Sequence, residues 1–168
     1  SCLGKEICKE ALEKGDYVIA TARKTETLED LKQISEDRLL TLELDVTNQD
    51  SINSCKEKAL AWKDRIDVLV NNAGIGSVGA LEELNKEETR KIFDVNVFGV
   101  IEVTRAFLPK FRKQKSGTIV NISSVVGHAT RPGFGAYAAS KHAIEALSES
   151  FAEEVKNLFD DFFSEIGT

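Results

Sequence analysis

Short apolar runs alternate along this chain with longer segments in which apolar residues recur every three or four positions. The runs are rich in β-branched residues and nearly continuous, which is typical of strands buried on both faces of a parallel sheet. The longer segments have the period of amphipathic helices. The alternation predicts an α/β fold with a parallel sheet and helices on both of its faces. The predicted strands cover residues 17–22, 39–44, 66–70 and 118–122.

The predicted helices lie before, between and after these strands. The segment 86–111 is apolar over more than one stripe, which indicates either a wide core face or a second buried side. Two other helices have a single apolar face, made of Ile52, Cys55, Ala59 and Trp62 in one and of Ile144, Leu147, Phe151, Val155 and Leu158 in the other. The helices are predicted at residues 1–14, 26–34, 49–62 and 86–111, and from about 137 onward.

Length, composition and charge narrow the class of protein. The chain has 168 residues with 42% hydrophobic and 30% charged content, as expected for one soluble globular domain. Its net charge of −6 argues against nucleic-acid and anionic-membrane partners, since either would need a basic face. No stretch reaches the ~18 apolar residues of a membrane span, and the first residues lack the layout of a signal peptide.

The three cysteines indicate a reducing compartment. Cys2, Cys8 and Cys55 have neither an even count nor CxxC spacing, so we expect no disulfide framework and a cytoplasmic location. No His, Cys and Asp residues have the spacing of a metal site, and we predict no metal. The chain contains no Met, which agrees with a processed chain, a fragment or an incomplete sequence.

Candidate chemistry is concentrated between residues 117 and 141. The predicted strand 118–122 is followed by Ser123 and Ser124, then by a glycine-rich loop and the helix that carries Tyr137 and Lys141. Residues four apart share one face of a helix. A hydroxyl at the carboxyl end of a parallel strand, facing a Tyr/Lys pair, is an arrangement suited to proton transfer.

These residues carry a family resemblance together with two motifs upstream. The segment 71–74, Asn-Asn-Ala-Gly, and then Asn96, Ser124 and Tyr137-x-x-x-Lys141 together resemble the short-chain dehydrogenase/reductases, over residues 4 to about 157. The resemblance implies a single NAD(P)-binding domain over 1–168 with a Rossmann-like, doubly wound parallel sheet in the strand order 3-2-1-4-5-6. It also implies an oxidoreductase that interconverts a carbonyl and a secondary alcohol.

By resemblance, Asn96, Ser124, Tyr137 and Lys141 are the catalytic tetrad. Tyr137 would be the general acid/base at the substrate oxygen, Ser124 would hold that oxygen, and Asn96 would hold a water that connects Lys141 to solvent. A free tyrosine, with a pKa of ~10, is a poor base near neutrality, and a nearby ammonium favours its phenolate. Taken singly, each residue has an ordinary structural explanation, as a helix start, a strand-end hydroxyl or a buried polar group.

The resemblance also implies a nucleotide site in the first half of the chain. Gly4 resembles the last glycine of the phosphate-binding turn, although Cys2 stands where the family has the preceding glycine. Ala22 stands where relatives that bind NAD have an acidic residue, and Arg23 could pair with a 2′-phosphate. We therefore predict NADP(H) in preference to NAD(H), with a solvated strand-end Arg23 as the alternative.

Further cofactor contacts are expected after the next two strands. Asp45 and Val46 resemble the pair that contacts adenine, although an N-cap or turn aspartate is an equal alternative. In the segment 71–74, the first Asn is expected to tie neighbouring strands and the glycine to permit close approach of the cofactor. The predicted cofactor-binding residues are therefore Gly4, Arg23, Asp45, Val46, Asn72, Ala73, Gly74, Tyr137 and Lys141.

Both ends depart from the family pattern. The chain starts after the family's first strand, so the strands at 17–22 and 66–70 would have nothing between them. Near the other end, residues 157–163 lack the alternation of the late strand expected there. Our hypothesis is that the sequence lacks a segment before Ser1 and another near 157–163.

The leading functional hypothesis is an NADP(H)-dependent carbonyl/alcohol oxidoreductase with a small, largely apolar substrate, since Val78, Val126 and Phe134 lie on the predicted substrate side. By resemblance, the helix 86–111 and the Tyr137 helix pair between subunits, which implies a homodimer or homotetramer. The alternative is a truncated chain that keeps the tetrad, cannot bind cofactor and serves as an interaction module. A cofactor-consumption assay separates the two.

Overall fold

The computed structural model describes residues 2–156 and 162–167, with the backbone alone at residue 2 and at 162–167. Contacts divide the chain into two compact units, Ser1–Asp64 and Arg65–Thr168. The described strands form two sheets, one of two strands and one of three.

The first unit contains one parallel strand pair with helices around it. Strands β1 and β2 pair in parallel, from Val18 opposite Leu39 to Ala22 opposite Glu43. Leu12, Ala20, Leu28 and Leu31 form its buried core. The elements in chain order are α1 (Cys2–Glu13), β1 (Val18–Ala22), a 3₁₀ helix (Thr25–Gln33), β2 (Leu39–Glu43) and α2 (Gln49–Trp62).

Two helical predictions in this unit have different outcomes. The prediction of α2 is confirmed from end to end, since Ile52, Cys55 and Ala59 are buried and Trp62 packs edge-on against another ring, that of Tyr17. The helix predicted at 26–34 is a 3₁₀ helix at Thr25–Gln33. Its two buried leucines are three residues apart, which places them on one face of a helix with three residues per turn.

The second unit holds a three-stranded parallel sheet in the order β3-β4-β5. In the register of β3 and β4, Asn71 lies opposite Asn121. The elements in chain order are β3 (Val68–Asn71), α3 (Lys86–Phe93), a π-helical turn (Asp94–Phe98), α4 (Gly99–Gln114), β4 (Gly117–Ile122), a 3₁₀ turn (Val125–Gly127), α5 (Gly135–Lys156) and β5 (Phe162–Gly167).

The late strand is a correction to the sequence prediction. Residues 157–163 were expected to lack a strand, yet β5 begins at Phe162 and pairs in parallel with β4 along its length. A strand in a parallel sheet takes its hydrogen bonds from its neighbour and need not show polar alternation, so the missing pattern was not diagnostic. The hypothesis of an omitted segment near 157–163 falls partly on residues 157–161, outside the described residues, and it stays a hypothesis.

Among the described strands, β1 pairs with β2 alone and β3 pairs with β4 alone. The hypothesis of an omitted segment before Ser1 stays a hypothesis.

The predicted helix 86–111 is interrupted by the π-helical turn at Asp94–Phe98 and extends to Gln114. A π turn accommodates one extra residue, and such turns are frequent at functional sites. Here the turn buries Asn96 and Val97, while α4 buries Val103, Phe107 and Phe111. None of the described helices has the combination of length and apolar character that a membrane crossing requires.

Candidate active site

The helix α5 carries Tyr137 and Lys141 one turn apart, beside the carboxyl end of β4. Lys141 is only 5% exposed, and its Nζ donates a hydrogen bond of 2.6 Å to the carbonyl of Ile122, the last residue of β4. The same Nζ lies 5.9 Å from the centre of the Tyr137 ring. The strand end therefore fixes Lys141 close to the phenol that it is predicted to serve.

Asn96 projects from the π turn into the same region, where it is 1% exposed. Its Oδ1 accepts a hydrogen bond from the backbone N–H of Ile75 at 2.9 Å, and its Nδ2 donates to the carbonyl of Ile75 at 2.8 Å. Nδ2 also donates to Ser140 Oγ at 3.0 Å. The amide therefore joins the loop after β3 to α5, while its predicted role through a water stays a prediction.

Ser140 is a member of this network that the sequence did not single out. Its hydroxyl is buried, accepts from Asn96 and donates to the carbonyl of Tyr137 at 2.7 Å. The sequence feature that could have indicated this role of Ser140 is its position three residues after Tyr137, which places it on the helix face that carries the tyrosine. The hydrogen bonds of Ser140 thus connect Asn96 to the turn of helix that presents the phenol.

Two glycines bring exposed backbone against these side chains. A Cβ added at Gly74 would lie 3.5 Å from Asn96 Oδ1 and 3.8 Å from Lys141 Nζ. A Cβ added at Gly76 would lie 3.2 Å from the Tyr137 ring, which is tighter than most Cβ contacts. The loop after β3 therefore lies directly beside the tyrosine, the lysine and the amide.

Ser124 lies two residues beyond the carbonyl that holds Lys141. It caps the short 3₁₀ turn, where its Oγ accepts from the N–H of Val126 at 3.4 Å and its carbonyl accepts from the N–H of Gly127 at 2.8 Å. The side chain is half-buried. The end of β4 thus positions both Ser124 and the partner of Lys141.

A chain of polar side chains ties the strands beneath the site. Asn71 Nδ2 donates to Asn121 Oδ1 at 2.8 Å and to Thr104 Oγ1 at 3.1 Å, and Asn121 Nδ2 donates to Ser148 Oγ at 2.8 Å. The prediction that Asn71 connects neighbouring strands is confirmed, because Asn71 is in β3 and Asn121 is in β4. The chain continues to α4 through Thr104 and to α5 through Ser148.

The electrostatics around Lys141 contain two opposing effects. Burial lowers the pKa of the Lys141 ammonium from its usual value, and the charge of Glu145 acts in the opposite direction. The ammonium is therefore held in a site from which most water is excluded, with one carboxylate whose field favours the charged form.

The first unit places its predicted cofactor residues at three separate points. Gly4 lies in the first turn of α1, Arg23 follows β1 and is exposed, and Asp45 and Val46 follow β2. Because β1 and β2 are parallel neighbours, Arg23 and Asp45 lie at the same edge of this sheet. The other predicted site residues, namely Asn72, Ala73, Gly74, Asn96, Ser124, Tyr137 and Lys141, belong to the second unit.

Asp45 has a local structural role. Its Oδ1 accepts from the N–H of Thr47 at 2.9 Å and from the Thr47 hydroxyl at 2.7 Å. These two hydrogen bonds, with a smaller effect of the Arg23 charge, lower the pKa of the Asp45 carboxyl. The turn aspartate considered in the sequence analysis is thus present, and the N-cap of α2 is Asn48 instead. The adenine contact of Asp45 and Val46 stays a prediction.

Among the side chains that the structure describes, no three His, Cys, Asp or Glu residues are grouped as a metal site would need. The cofactor question is different, because Gly74 and Gly76 are exposed, and a Cβ added at either would lie beside Lys141 or Tyr137. The absence of side chains at these two positions leaves the backbone open to the close approach of a flat cofactor ring.

Comparisons with known proteins agree with this architecture. The family model described as short chain dehydrogenase matches residues 1–158. An oxidoreductase from Staphylococcus saprophyticus is 37% identical over 155 residues, which cover 92% of this chain and 63% of the relative. The structure of a short-chain dehydrogenase from Streptomyces avermitilis is 45% identical, with a TM-score of 0.92 over 97% of this chain and 59% of its own.

A metagenomic short-chain oxidoreductase in complex with NADP is 31% identical, with a TM-score of 0.90 over 98% of this chain and 75% of its own. The chain spans 55% to 63% of the length of the first three curated relatives that it matches. The matched range contains the predicted tetrad residues, the segment 71–74 and the strands β3 and β4. On this evidence the chain belongs to the short-chain dehydrogenase family.

Proposed function

We propose that the chain is the NADP(H)-binding and catalytic part of an oxidoreductase that interconverts a carbonyl and a secondary alcohol, with Tyr137 as the general acid/base. The observation that supports this most is a set of hydrogen bonds that joins Asn96 to Ser140, Ser140 to the carbonyl of Tyr137, and Lys141 to the carbonyl of Ile122 at the end of β4. Asn96, Ser140 and Lys141 are buried there, and Tyr137 is half-buried beside the exposed Gly76.

The side chains divide the work of proton transfer. The Lys141 Nζ, which lies 5.9 Å from the centre of the Tyr137 ring in a buried site, places a positive charge near the phenol, and charges interact more strongly where water is excluded. The carbonyl of Ile122 accepts one of the three hydrogens of the Lys141 ammonium. The other two would be available to Tyr137 and to a bound ligand. Ser124, at the same strand end, would orient the substrate oxygen toward Tyr137.

The cofactor-binding residues are proposed to be those implied by the family resemblance. Gly4 and Arg23 would hold its phosphates, Asp45 and Val46 its adenine, and Asn72, Ala73, Gly74, Tyr137 and Lys141 its nicotinamide end. NADP(H), when bound, supplies or accepts the hydride. The exposed glycine backbone beside Tyr137 and Lys141 supports the fit, and so does the relative in complex with NADP.

Arg23 would select NADP(H) over NAD(H). Its exposed guanidinium follows a strand end that has Ala22 and no carboxylate for a ribose 2′-hydroxyl. In Arg23→Ala we expect NADPH to bind about 10-fold to 100-fold more weakly, since a hydrogen bond to a charged group contributes about 1.5–3 kcal/mol. Fluorescence titration with NADPH and NADH measures this, and Lys58→Ala on the exposed side of α2 is the control. Equal binding of both cofactors to the wild type would reject the preference.

The substrate is proposed to be a small, largely apolar carbonyl compound or alcohol. Two loops that carry predicted lining residues are joined by a hydrogen bond of 3.0 Å from Gly79 N–H to the Gly133 carbonyl. Val78, 71% exposed, and Phe134 lie next to that bond. Val126 is buried, so the apolar surface presented by the 3₁₀ turn is Val125 instead.

The protein is also proposed to be a cytoplasmic homodimer or homotetramer. The support is the apolar second side of the segment 86–111, where Phe98 is 55% exposed. Light scattering on the purified chain tests the assembly, and a monomer at micromolar concentration would reject it.

The activity is tested by NADPH oxidation against panels of ketones, aldehydes and acyl carriers. We expect turnover by the wild type and its loss in Tyr137→Phe, with the thermal unfolding temperature and NADPH affinity retained. If the wild type neither binds nor oxidises NADPH, the chain is better described as an interaction module that keeps the tetrad.

A further inference from the structure

A second group of polar residues is buried next to Lys141 and has no part in the chemistry proposed above. Glu145 is on α5, four residues after Lys141 and therefore one turn along the same face, and it is 7% exposed. Its Oε1 has no hydrogen-bond partner among the described residues, and neither has the buried hydroxyl of Ser123. A buried carboxylate is costly unless a positive charge compensates it, so the surroundings of Glu145 need an explanation.

The turn after Ser124 packs closely on Glu145. A Cβ added at Gly127 would lie 2.8 Å from Ser123 Oγ and 3.2 Å from Glu145 Oε1. The missing side chain thus lets the turn pass over the carboxylate. The Gly127 N–H bonds to the carbonyl of Ser124 at 2.8 Å, so this packing bears directly on the placement of that serine.

Two basic residues are near Glu145, one on the turn and one on its own helix. His128 Nε2, on the turn, is 3.4 Å from Glu145 Oε1, and His128 carries a positive charge only when it is protonated. Lys141, on the same helix as Glu145, is 5% exposed. Glu145 therefore shares a buried face of α5 with Lys141 and is within ion-pair distance of His128 on the loop that begins at Ser124.

We propose that Glu145 is a positioning residue of the active site, whose buried carboxylate compensates the charge of Lys141 and, through His128, anchors the turn that follows Ser124. This inference rests on the burial of Lys141 and Glu145 and on the close approach of Gly127 to Glu145. Its consequence for catalysis rests on the proposed function, whereas the interactions of Glu145 with Lys141 and with His128 do not.

The electrostatics point the same way. Burial lowers the pKa of Lys141, and Glu145 is the charged group that raises it. Three other polar or charged groups lie near Lys141 and Glu145. His128, which follows the 3₁₀ turn, approaches Glu145, and Tyr137 is near Lys141 on α5. Asn96, from the π turn, lies beside Gly74, as Lys141 does. Removing the negative charge of Glu145 therefore leaves burial unopposed, and the pKa of Lys141 falls further.

The experiment uses the whole chain without cofactor, so its result does not depend on any enzymatic activity. The titration of Lys141 is followed by NMR on protein with ¹³C-labelled lysine, and Lys141→Arg assigns its signal. Glu145→Gln keeps the shape of the side chain and removes its charge, and we expect Lys141 to titrate at lower pH than in the wild type. Glu149→Gln, one turn further along α5 at a residue that is exposed to solvent, is the matched control and should leave the titration unchanged.

A conservative variant separates positioning from folding. Glu145→Asp retains the charge, and we expect it to move the Lys141 titration back toward the wild-type pH. If Lys141 titrates in Glu145→Gln at the wild-type pH or above, the charge-compensation part of the proposal is wrong. A lower unfolding temperature alone, without a shift of Lys141, would mean that Glu145 is merely structural.

The loop half of the proposal has its own variant. His128 is 58% exposed on its side chain, so His128→Asn is compatible with folding. We expect the amides of Gly127 and His128 or its replacement to exchange with deuterium several-fold faster in both His128→Asn and Glu145→Gln. Unchanged exchange in both variants would overturn the anchoring role.

Discussion

Asn96→Ala is the substitution that most directly tests how the site is held together. The Asn96 amide makes three hydrogen bonds and is 1% exposed. Removing it leaves the N–H and the carbonyl of Ile75 without those partners, and Ser140 without the donor to its Oγ. The loop after β3 then loses its direct hydrogen bonds to the π turn.

The expected cost follows from these three bonds. Each contributes about 1 kcal/mol net, and a buried group left without a partner costs about 1–3 kcal/mol. Ile75 is half-buried, so water would replace part of what it loses. We therefore expect the free energy of unfolding to fall by about 2–4 kcal/mol. With a urea dependence of about 2 kcal/mol per M, the midpoint would fall by about 1–2 M.

Urea unfolding followed by far-UV circular dichroism measures the change, and hydrogen exchange of the Ile75 amide measures its local part. Asn53→Ala is the control, since Asn53 accepts one bond of 3.2 Å from Gln49 at the surface of α2. We expect the control to lose no more than about 0.5 kcal/mol. If Asn96→Ala loses no more than Asn53→Ala and the Ile75 amide stays protected, the proposed network does not hold the loop.

Two further predictions concern the frame around the site. A Cβ at Gly117, where φ is +146°, would overlap the Phe111 ring, so Gly117→Ala should lose about 2–4 kcal/mol of unfolding free energy. Gly15→Ala, in open space at φ +94°, should lose about 1 kcal/mol. Equal losses in urea titrations would contradict this. Because hydrogen bonds from Thr47 lower the pKa of Asp45, the stabilisation by its charge is present above about pH 4 and is lost as the pH falls through the lower pKa of the folded state. Asp45→Asn should therefore be less stable than the wild type at pH 6 and approach it on acidification, and a thermal-unfolding difference independent of pH would refute this.

The parts of the fold with an unbroken pattern were predictable from the sequence. The segment 49–62 has apolar residues at regular helical steps and a capping asparagine before it, and α2 has those bounds. The strand at 118–122 and the spacing of Tyr137 and Lys141 were equally local signals. Lys141 lies beside Ile122 because helix α5 passes the carboxyl end of strand β4.

Features that depend on partners distant in sequence were not predictable in this way. The π turn leaves the apolar character of 86–111 unchanged, so the extra residue that directs Asn96 inward has no signature of its own. On α5 the pattern placed Leu147 in the buried face, yet Leu147 is 39% exposed while Glu145 and Ser148 are buried. Ser148 is inside because Asn121 of β4 donates to it, which a single helix does not reveal.

The central claim is tested most directly by following the hydride itself. NADPH carrying deuterium at the transferring position of nicotinamide C4 is incubated with the wild-type chain and an active carbonyl substrate, and the product is analysed by mass spectrometry. We predict an alcohol with one deuterium on the carbon that bears the hydroxyl, and no such product from Tyr137→Phe under conditions where it still binds NADPH. Deuterated alcohol formed equally well by Tyr137→Phe would contradict the role of Tyr137, and its absence with the NADPH-bound wild type across the whole carbonyl panel would contradict the oxidoreductase assignment.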